Sequence, residues 1–265
     1  MNTAPPSVPP AAAAPLHCDQ CDCRNDLAFR FDFAFQPIVD VAARRVFAQE
    51  ALVRGPDGEA SGSVLSQVND DNRYRFDQSC RVKAVKGAKR LGIDQRGEFV
   101  SINFLPNAVY EPERCIRTTL EAASAAAFPL ERIIFEVTEV EKIVDRAHLA
   151  NIIRAYRQFG FLTAIDDFGA GYSGLNLLAE YQPDLIKIDL ELVRNIHLSK
   201  PKRAILAGIL SVCRELDIRV IAEGIETAEE RDCLRDYGIT LMQGFLFSPA
   251  TFRSLASIAD SVYGG

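Results

Sequence analysis

Short apolar runs of this sequence contain acidic and amide side chains in their interior. Glu50, Asn103, Glu136 and Asp166 each lie inside such a run. An unpaired carboxylate is costly to bury, so these residues indicate a shared polar site rather than ordinary polarity at strand ends. Further polar residues at or next to the ends of such runs are Arg54, Glu139, Asp167, Lys187, Asp189, Glu223, Glu226 and Gln243.

The charges of this set do not balance. Like charges a few ångströms apart repel strongly, and Lys187 and Arg54 would offset only part of the negative charge. Divalent cations are the natural counter-charge, and an almost purely oxygen ligand set favours Mg²⁺, Mn²⁺ or Ca²⁺ over zinc or copper. The neighbours Asp166 and Asp167 could bridge two cations. Two cations roughly 3.5–4 Å apart are a common arrangement for phosphoester hydrolysis.

Eight short β-branched and aromatic runs predict the strands that position these residues. They are Phe33–Asp40, Val46–Arg54, Phe99–Leu105, Arg132–Val137, Leu162–Asp166, Leu185–Asp189, Arg219–Ala222 and Thr240–Phe245. Patterns of helical period fall between them at about 76–91, 112–127, 145–159, 173–181, 201–216 and 227–236. Strands that alternate with helices indicate a parallel sheet with right-handed crossovers.

The first two strands interrupt this alternation. Only Val41–Arg45 separates them, which is too short for a crossover helix, so they should form an antiparallel hairpin. We therefore predict an α/β fold, a TIM-like (β/α)8 barrel with an antiparallel first strand and its chemistry at the carboxyl ends of the strands. An open doubly wound sheet is the alternative. Gly169, Gly171 and Gly174 superficially fit the spacing of a dinucleotide-binding loop, but no ribose-binding acid follows at the right distance.

The first 28 residues differ in composition from the rest of the chain. Residues 1–15 contain five prolines and a run of alanines without charge or periodicity, which is typical of a flexible leader. Cys18, Cys21 and Cys23 follow His17 and could hold zinc or an iron–sulfur centre, sense redox state, or form an oxidisable tail without a role. We predict a Pro/Ala-rich leader with a cysteine cluster over residues 1–28 and one α/β domain over residues 29–265.

The overall composition excludes several classes of partner. The chain has 265 residues and a formal net charge of −6 at pH 7, which provides no basic field for a nucleic-acid polymer or an anionic membrane. No apolar run approaches the roughly 20 residues that span a bilayer, and the N-terminus lacks the pattern of a secretory signal. We therefore expect a cytoplasmic protein that does not insert into membranes.

Motifs distributed along the chain resemble those of the EAL-type cyclic di-GMP phosphodiesterases. Glu50-Ala51-Leu52 followed by Arg54 resembles the signature of that family, although the tripeptide alone would carry little weight. The other matching segments, in the family's order and spacing, are Phe35–Val39, Ile102–Phe104, Phe135–Glu139, Asp166–Ser173, Lys187–Asp189, Ala222–Glu226 and Gln243–Phe245. The resemblance covers about residues 29–250 and would make the predicted domain an EAL phosphodiesterase domain.

The resemblance implies hydrolysis of cyclic di-GMP, a bacterial second messenger, to linear pGpG with two Mg²⁺ or Mn²⁺ ions. It also implies that Ca²⁺ binds without efficient turnover. The positions that match ligands of one cation are Glu50, Asn103, Glu136 and Asp166, and those that match ligands of the other are Asp166, Asp167 and Glu223. Lys187 matches the lysine that holds the attacking water, and Glu223 matches either a general base or a ligand. The catalytic positions are thus Glu50, Asp167, Lys187 and Glu223.

The resemblance also implies substrate contacts and a regulatory loop. The positions that match substrate-binding residues are Gln36, Leu52, Arg54, Asp189, Glu226 and Gln243. Glu139 matches the acid that stabilises the loop Phe168–Leu175, which in the family couples dimerisation to metal binding. We therefore expect a homodimer, with a regulatory protein partner as a further candidate. Ala170 and Gly174 stand where many members have Thr and Ser, so this loop should be more flexible here.

Two other functions remain compatible with the sequence. A catalytically weak receptor would bind cyclic di-GMP in the same pocket and signal through a protein partner, whereas a pure interaction module would not bind the dinucleotide. Receptors of this kind usually lack metal ligands, but every ligand position of the family is filled here. Metal-dependent turnover would separate an enzyme from both alternatives, and dinucleotide binding would separate the alternatives from each other.

Overall fold

The computed structural model describes residues 27–138, 146–170 and 174–264. Within these ranges nine strands form one sheet. The strands are β1 (Asp32–Asp40), β2 (Arg45–Arg54), β3 (Phe99–Asn103), β4 (Ile133–Thr138), β5 (Leu162–Phe168), β6 (Leu185–Ile188), β7 (Arg219–Ala222), β8 (Leu241–Gln243) and β9 (Thr251–Phe252). The eight predicted strands correspond to β1–β8. The two-residue β9 was not predicted, because so short a strand has no sequence period.

The sheet closes into an eight-stranded barrel. β2 to β8 follow one another in parallel, and β1 pairs antiparallel with both β2 and β8. β9 continues along the edge of β1 that β8 leaves free, with Ala34 opposite Phe252. The predicted hairpin and the TIM-like barrel with an antiparallel first strand are therefore confirmed, and the open doubly wound sheet is excluded.

Nine α-helices lie in the described ranges. They are α1 (Ser61–Leu65), α2 (Arg73–Arg90), α3 (Pro112–Cys115), α4 (Arg117–Ala126), α5 (Arg146–Gln158), α6 (Gly174–Glu180), α7 (Leu190–Val193), α8 (Lys200–Glu215) and α9 (Ala228–Asp236). None of them is long and apolar enough to cross a membrane. The short α1 and α7 were not predicted, since one helical turn carries too little periodicity to recognise.

Two helix predictions can be compared in detail with the structure. The predicted helix over 112–127 is divided into α3 and α4 at Ile116, where β-branched residues lower the helix propensity. The predicted start at Thr227 is confirmed. The Thr227 side chain accepts a hydrogen bond from the Glu230 backbone, and Glu230 accepts one from the Thr227 backbone, so the two residues form a capping box.

The main hydrophobic core lies between the outer wall of the barrel and the helices. Phe104, Phe135, Tyr156 and Phe161 pack there with ring centroids 5.0 to 6.0 Å apart. Phe135 lies on the outer face of β4, Phe104 and Phe161 lie next to β3 and β5, and Tyr156 comes from α5. In the strands, successive side chains point to opposite faces of the sheet. The same alternation leaves every second residue to fill the barrel interior.

The barrel interior has two layers. An apolar layer, here called the plug, fills its N-terminal end and consists of Ile38, Phe47, Ala48, Ile134, Ala164, Leu185, Ile221 and Leu241. In β1, β2 and β4–β8, a residue two positions from a plug residue toward the carboxyl end of the barrel lies on the same strand face and so points inward. In each of these strands that residue is polar. These residues are Gln36, Glu50, Glu136, Asp166, Lys187, Glu223 and Gln243. The fold therefore places a polar layer directly above the plug.

Gly244 lies where the segment after β7 contacts the end of β8. A Cβ atom at this position would lie 2.1 Å from the carbonyl oxygen of Ile225. The Ile225 amide donates to the Gln243 carbonyl at 3.0 Å, and the Leu246 amide donates to the Ile225 carbonyl at 3.0 Å. Only glycine permits this close backbone approach, which holds the segments that follow Glu223 and Gln243 together.

Gly244→Ala should lower the free energy of unfolding by about 1–3 kcal/mol, because its methyl group must displace the Ile225 backbone. Gly208→Ala is the matched control. Gly208 lies inside α8 with open space around its Cβ direction, so alanine there should raise the free energy of unfolding by about 0.5–1 kcal/mol. Urea unfolding measures both, and equal effects of the two substitutions would contradict the proposed crowding.

Candidate active site

Three buried carboxylates converge in the polar layer of the barrel. Glu50 of β2, Glu136 of β4 and Asp166 of β5 each place an oxygen within 4.8 Å of the other two. All three residues are buried. The convergence that the apolar runs predicted is therefore present, and it follows from the shared inward face of parallel strands.

The ammonium group of Lys187 lies among these carboxylates. The distances from its Nζ are 3.2 Å to Glu50 Oε2, 3.1 Å to Glu136 Oε2, 3.0 Å to Asp166 Oδ1 and 2.7 Å to Glu223 Oε1. The Lys187 side chain is only 1% exposed. Within the described part of the chain, no other cationic side chain pairs with these four acids. One positive charge thus opposes four acidic groups.

Neutral side chains complete the hydrogen bonding of the buried acids. Glu50 accepts hydrogen bonds from Asn103 Nδ2 at 3.0 Å and from Gln243 Nε2 at 2.8 Å. Ser101 Oγ donates to Glu136. Sequence analysis did not predict Ser101 as part of the site. Ser101 lies two residues before Asn103 in β3, so both side chains share the inward face. This spacing could have identified Ser101 from the sequence.

β5 is irregular at the two neighbouring aspartates. Between Ile165 and Phe168 two residues of β5 oppose a single residue of β6, which is a β-bulge. Asp167 has a φ of +53°, a left-handed conformation that aspartate tolerates better than most residues. A regular strand would turn the second aspartate away from the first. Here Asp166, Asp167 and Glu223 form a second group of oxygen ligands within 4.8 Å of one another.

Burial and crowding change the acidity of this cluster. Burial raises the pKa of Glu136 to about 8, and it raises the pKa of Glu223 well above its usual range. Burial and the neighbouring Asp166 raise the pKa of Asp167 to about 6. Burial disfavours the charge on Lys187, but the surrounding carboxylates outweigh it and raise the pKa of that ammonium. Without further counter-charge, part of the cluster therefore retains protons at neutral pH.

The residues present fit hard divalent cations. Both ligand groups consist of oxygen atoms, the donors that Mg²⁺, Mn²⁺ and Ca²⁺ prefer. Asp166 belongs to both groups, and its buried Oδ1 accepts no hydrogen bond from the described residues although it lies 3.0 Å from Lys187. The amide nitrogen of Asn103 donates to Glu50, which leaves its carbonyl oxygen available as a ligand.

Three of the predicted substrate-binding residues lie around the opening of the barrel. Gln36 Nε2 donates to the carbonyl oxygen of Ser248 at 3.2 Å. Leu52 and Arg54 line a mostly apolar cavity of about 290 Å³ where β2 and β3 meet α1 and α2. Arg54 Nη1 donates to the Val53 carbonyl at 2.8 Å. Among the described residues Arg54 forms no ion pair with an acid of the cluster, so its predicted share of the counter-charge stays a prediction.

The remaining predicted contacts already have local partners. Asp189 is buried, and its Oδ1 caps α7 by accepting a hydrogen bond from the Glu191 amide at 2.9 Å. Glu226 is exposed and accepts a hydrogen bond from Arg194 Nη2 at 2.7 Å. Gln243 lies inside the cluster through its bond to Glu50. The predicted residues outside the described ranges are Glu139, Cys18, Cys21, Cys23 and positions 171–173 of the predicted loop.

Fold and site together define a TIM-like barrel domain with an acidic, oxygen-rich centre at the carboxyl ends of its strands. Such a centre sits where α/β barrels place their ligand sites. The chain belongs to the EAL domain family, whose sequence profile matches residues 21–250. The resemblance seen in the motifs is therefore confirmed, whereas the domain boundary predicted at residue 29 stays a prediction.

Solved structures and curated proteins resemble this chain over most of its length. A standalone EAL protein of Vibrio cholerae in a c-di-GMP-bound form is 49% identical, with a TM-score of 0.86 over 91% of this chain and 100% of that one. A manganese/c-di-GMP complex of BlrP1 from Klebsiella pneumoniae is 40% identical, with a TM-score of 0.81 over 86% of this chain and 58% of that one.

Among curated proteins, the Escherichia coli blue light- and temperature-regulated antirepressor BluF is 38% identical over 86% of this chain and 56% of its own length. The cyclic di-GMP phosphodiesterase NbdA of Pseudomonas aeruginosa is 31% identical over 83% of this chain and 29% of its own length. The chain thus spans about half or less of the length of these two relatives.

The free energy of unfolding of the wild-type protein in EDTA should fall as the pH rises from 5 to 8. Glu136 has an ordinary pKa of 4.5 when unfolded and about 8 in the fold, so in this window the folded state holds a proton that the unfolded state has lost. The contribution is at most about 1.4 kcal/mol per pH unit. Glu136→Gln removes this group and should flatten the slope, as measured by chemical unfolding at several pH values. Identical slopes would contradict the assignment.

Proposed function

We propose that this chain is a cyclic-guanylate-specific phosphodiesterase, which hydrolyses cyclic di-GMP to linear pGpG with two Mg²⁺ or Mn²⁺ ions and thereby lowers a second messenger. The observation that carries this proposal is the pair of oxygen ligand groups that share Asp166. Similarity to a c-di-GMP-bound EAL protein and to a protein named as a cyclic di-GMP phosphodiesterase supports the choice of substrate.

The polar layer supplies the ligands for two cations. Glu50, Asn103, Glu136 and Asp166 would hold one, and Asp166, Asp167 and Glu223 would hold the other. Bound there, divalent cations would activate water and neutralise charge on the phosphodiester. The β-bulge of β5 is what lets adjacent aspartates serve both positions. Ca²⁺ would occupy the same oxygen ligands but support little turnover.

Lys187 and Glu223 are the two groups that this proposal assigns to the attacking water. Lys187 keeps the acids close together, and its ammonium would orient the water beside the phosphate. Glu223 lies at the open side of the cluster with 16% of its side chain exposed. It is therefore placed either to accept the proton of the water or to act only as a ligand.

The opening of the barrel would bind the rest of the substrate. Arg54 can form two parallel hydrogen bonds with a phosphate, which a lysine could not. The cavity that it shares with Leu52 is mostly apolar with a few polar groups at its edge, a composition suited to a planar base. Further contacts would come from Gln36, Asp189, Glu226 and Gln243. Dimerisation through the loop after Asp167 belongs to the same proposal.

Asp166→Asn should reduce metal-dependent turnover of cyclic di-GMP by at least about a hundredfold, because the bridging position loses its charge. Release of pGpG from cyclic di-GMP in Mg²⁺ or Mn²⁺, followed by chromatography, measures this effect. Asp217→Asn is the matched control. Asp217 is exposed between α8 and β7 with a φ of +55° that asparagine adopts readily. Near-normal turnover by a folded Asp166→Asn protein would remove the two-cation assignment.

Arg54→Ala should weaken binding of cyclic di-GMP in Ca²⁺ by about 1.5–3 kcal/mol, as expected for the loss of one charged hydrogen-bonding contact. This corresponds to a dissociation constant roughly 10- to 150-fold higher. Isothermal titration measures it without interference from turnover. Arg90→Ala, which removes the same charge from the exposed end of α2, should leave the dissociation constant unchanged. Equal values for wild type and Arg54→Ala would remove the phosphate contact.

The second candidate function is a receptor that binds cyclic di-GMP and signals through a regulatory protein partner. The similarity to BluF, which is named an antirepressor rather than an enzyme, favours it. The assay above separates the two functions. A wild-type protein that binds cyclic di-GMP but releases no pGpG in Mg²⁺ or Mn²⁺ is a receptor, whereas a protein that turns over in a metal-dependent way is an enzyme.

A further inference from the structure

A buried ion pair lies on the outer wall of the barrel, behind the strands that carry Asn103 and Glu136. Asp77 and Arg81 are one turn apart in α2, and Arg81 Nη2 lies 2.7 Å from Asp77 Oδ2. Their side chains are 1% and 0% exposed. Arg81 Nη1 also donates to the hydroxyl of the buried Tyr156 in α5. Within the part of the chain that the structure describes, Asp77 and Arg81 form no hydrogen bond or ion pair with the acidic cluster.

The Arg81 guanidinium packs on rings that adjoin the site. Its central carbon lies 5.2 Å from the ring centroids of both Phe104 and Phe135, within the range of a cation–π contact. Phe104 directly follows Asn103, and Phe135 directly precedes Glu136. Because side chains alternate across a strand, a ring held on the outer face fixes the orientation of its neighbour on the inner face.

Asp77 fixes the same segment through the backbone. Its Oδ1 accepts a hydrogen bond from the Leu105 amide at 2.9 Å, two residues after Asn103. The Phe104 amide donates to the Glu136 carbonyl at 3.0 Å. The ends of β3 and β4 are thus connected to each other, and both are held from behind by the two charged residues of α2.

Stability alone gives a weak reason for this ion pair. Two fully buried charges lose their hydration, and replacing such a pair with well-packed apolar side chains is often neutral or stabilising. Its location behind the ends of two ligand-bearing strands suggests a second reason. Residues behind a metal site that orient its ligands commonly change metal affinity or activity 10- to 100-fold when they are lost.

We propose that Asp77 and Arg81 are positioning residues, which hold Asn103 and Glu136 in the orientation that binds a divalent cation. The proposal rests on the proposed function as far as the cation is concerned. Its mechanical part, that the pair immobilises the end of β3, can be tested without cation or substrate.

The test is the double variant Asp77→Leu/Arg81→Met. It removes both charges together and so leaves no unpaired buried ion. Lys89→Met is the control on the same helix. Lys89 lies in the last turn of α2 and pairs with Asp94 at 2.7 Å, so this substitution breaks an ion pair at the other end of α2. Urea unfolding verifies that both variants are folded before further measurement.

Two measurements follow on the folded proteins. Amide hydrogen exchange of residues 101–105 should be at least tenfold faster in the double variant, while residues 185–188 of β6 should match wild type. The dissociation constant for Mn²⁺, measured by electron paramagnetic resonance without substrate, should rise roughly tenfold. Lys89→Met should show neither change. Exchange at 101–105 and a Mn²⁺ dissociation constant equal to those of Lys89→Met would overturn the proposal.

Two further outcomes are also decisive. If wild type binds no Mn²⁺, the proposed two-cation function fails, and the amide exchange at 101–105 alone decides the positioning role. If the double variant does not fold, Tyr156→Phe takes its place. That substitution removes only the hydroxyl that accepts a hydrogen bond from Arg81, so it should raise amide exchange at 101–105 about threefold. Exchange there equal to that of wild type would overturn the proposal.

Discussion

The repulsion among acids crowded around one ammonium group is the constraint on which the rest of this site depends. Lys187 touches four carboxyl groups and is itself buried. A barrel tolerates such a cluster only if protons, amide donors or cations supply what one lysine cannot. Asn103 and Gln243 provide amide donors to Glu50, and the raised pKa values of Glu136 and Glu223 favour retained protons. Cation binding is the remaining way to relieve the same repulsion.

Much of this arrangement follows from the two-residue period of a strand. With the exception of Phe47, each plug residue of β2 and β4–β8 precedes a polar site residue by two positions, so the eight strand predictions nearly determined which side chains meet. The β-bulge at Asp166 and Asp167 could not be read from the sequence, because a regular strand would have separated these aspartates. Ser101 was missed because a lone serine in an apolar strand carries no charge to mark it. The predicted contribution of Arg54 to the counter-charge stays a prediction. Its Nη1 donates to the Val53 carbonyl, a contact that its position on the strand did not reveal.

Charged groups lie on both sides of the wall formed by β3 and β4. Inside, Lys187 meets Glu136, and outside, Arg81 packs on Phe135, the adjacent residue. The two cationic side chains, Lys187 and Arg81, therefore contact neighbouring positions of β4 from opposite faces of the strand. Such an arrangement restricts rotation of β4 about its own axis more than apolar packing on one side would, because each charge must keep its own partners.

The plug also has a kinetic consequence for whatever binds above it. Apolar side chains fill the N-terminal end of the barrel, so that end is a packed interior rather than a passage. Any ligand must then arrive and depart through the same opening at the carboxyl ends of the strands. A bound product would occupy the route of the next substrate molecule, and the rate of its departure would set an upper limit on the rate of the whole cycle.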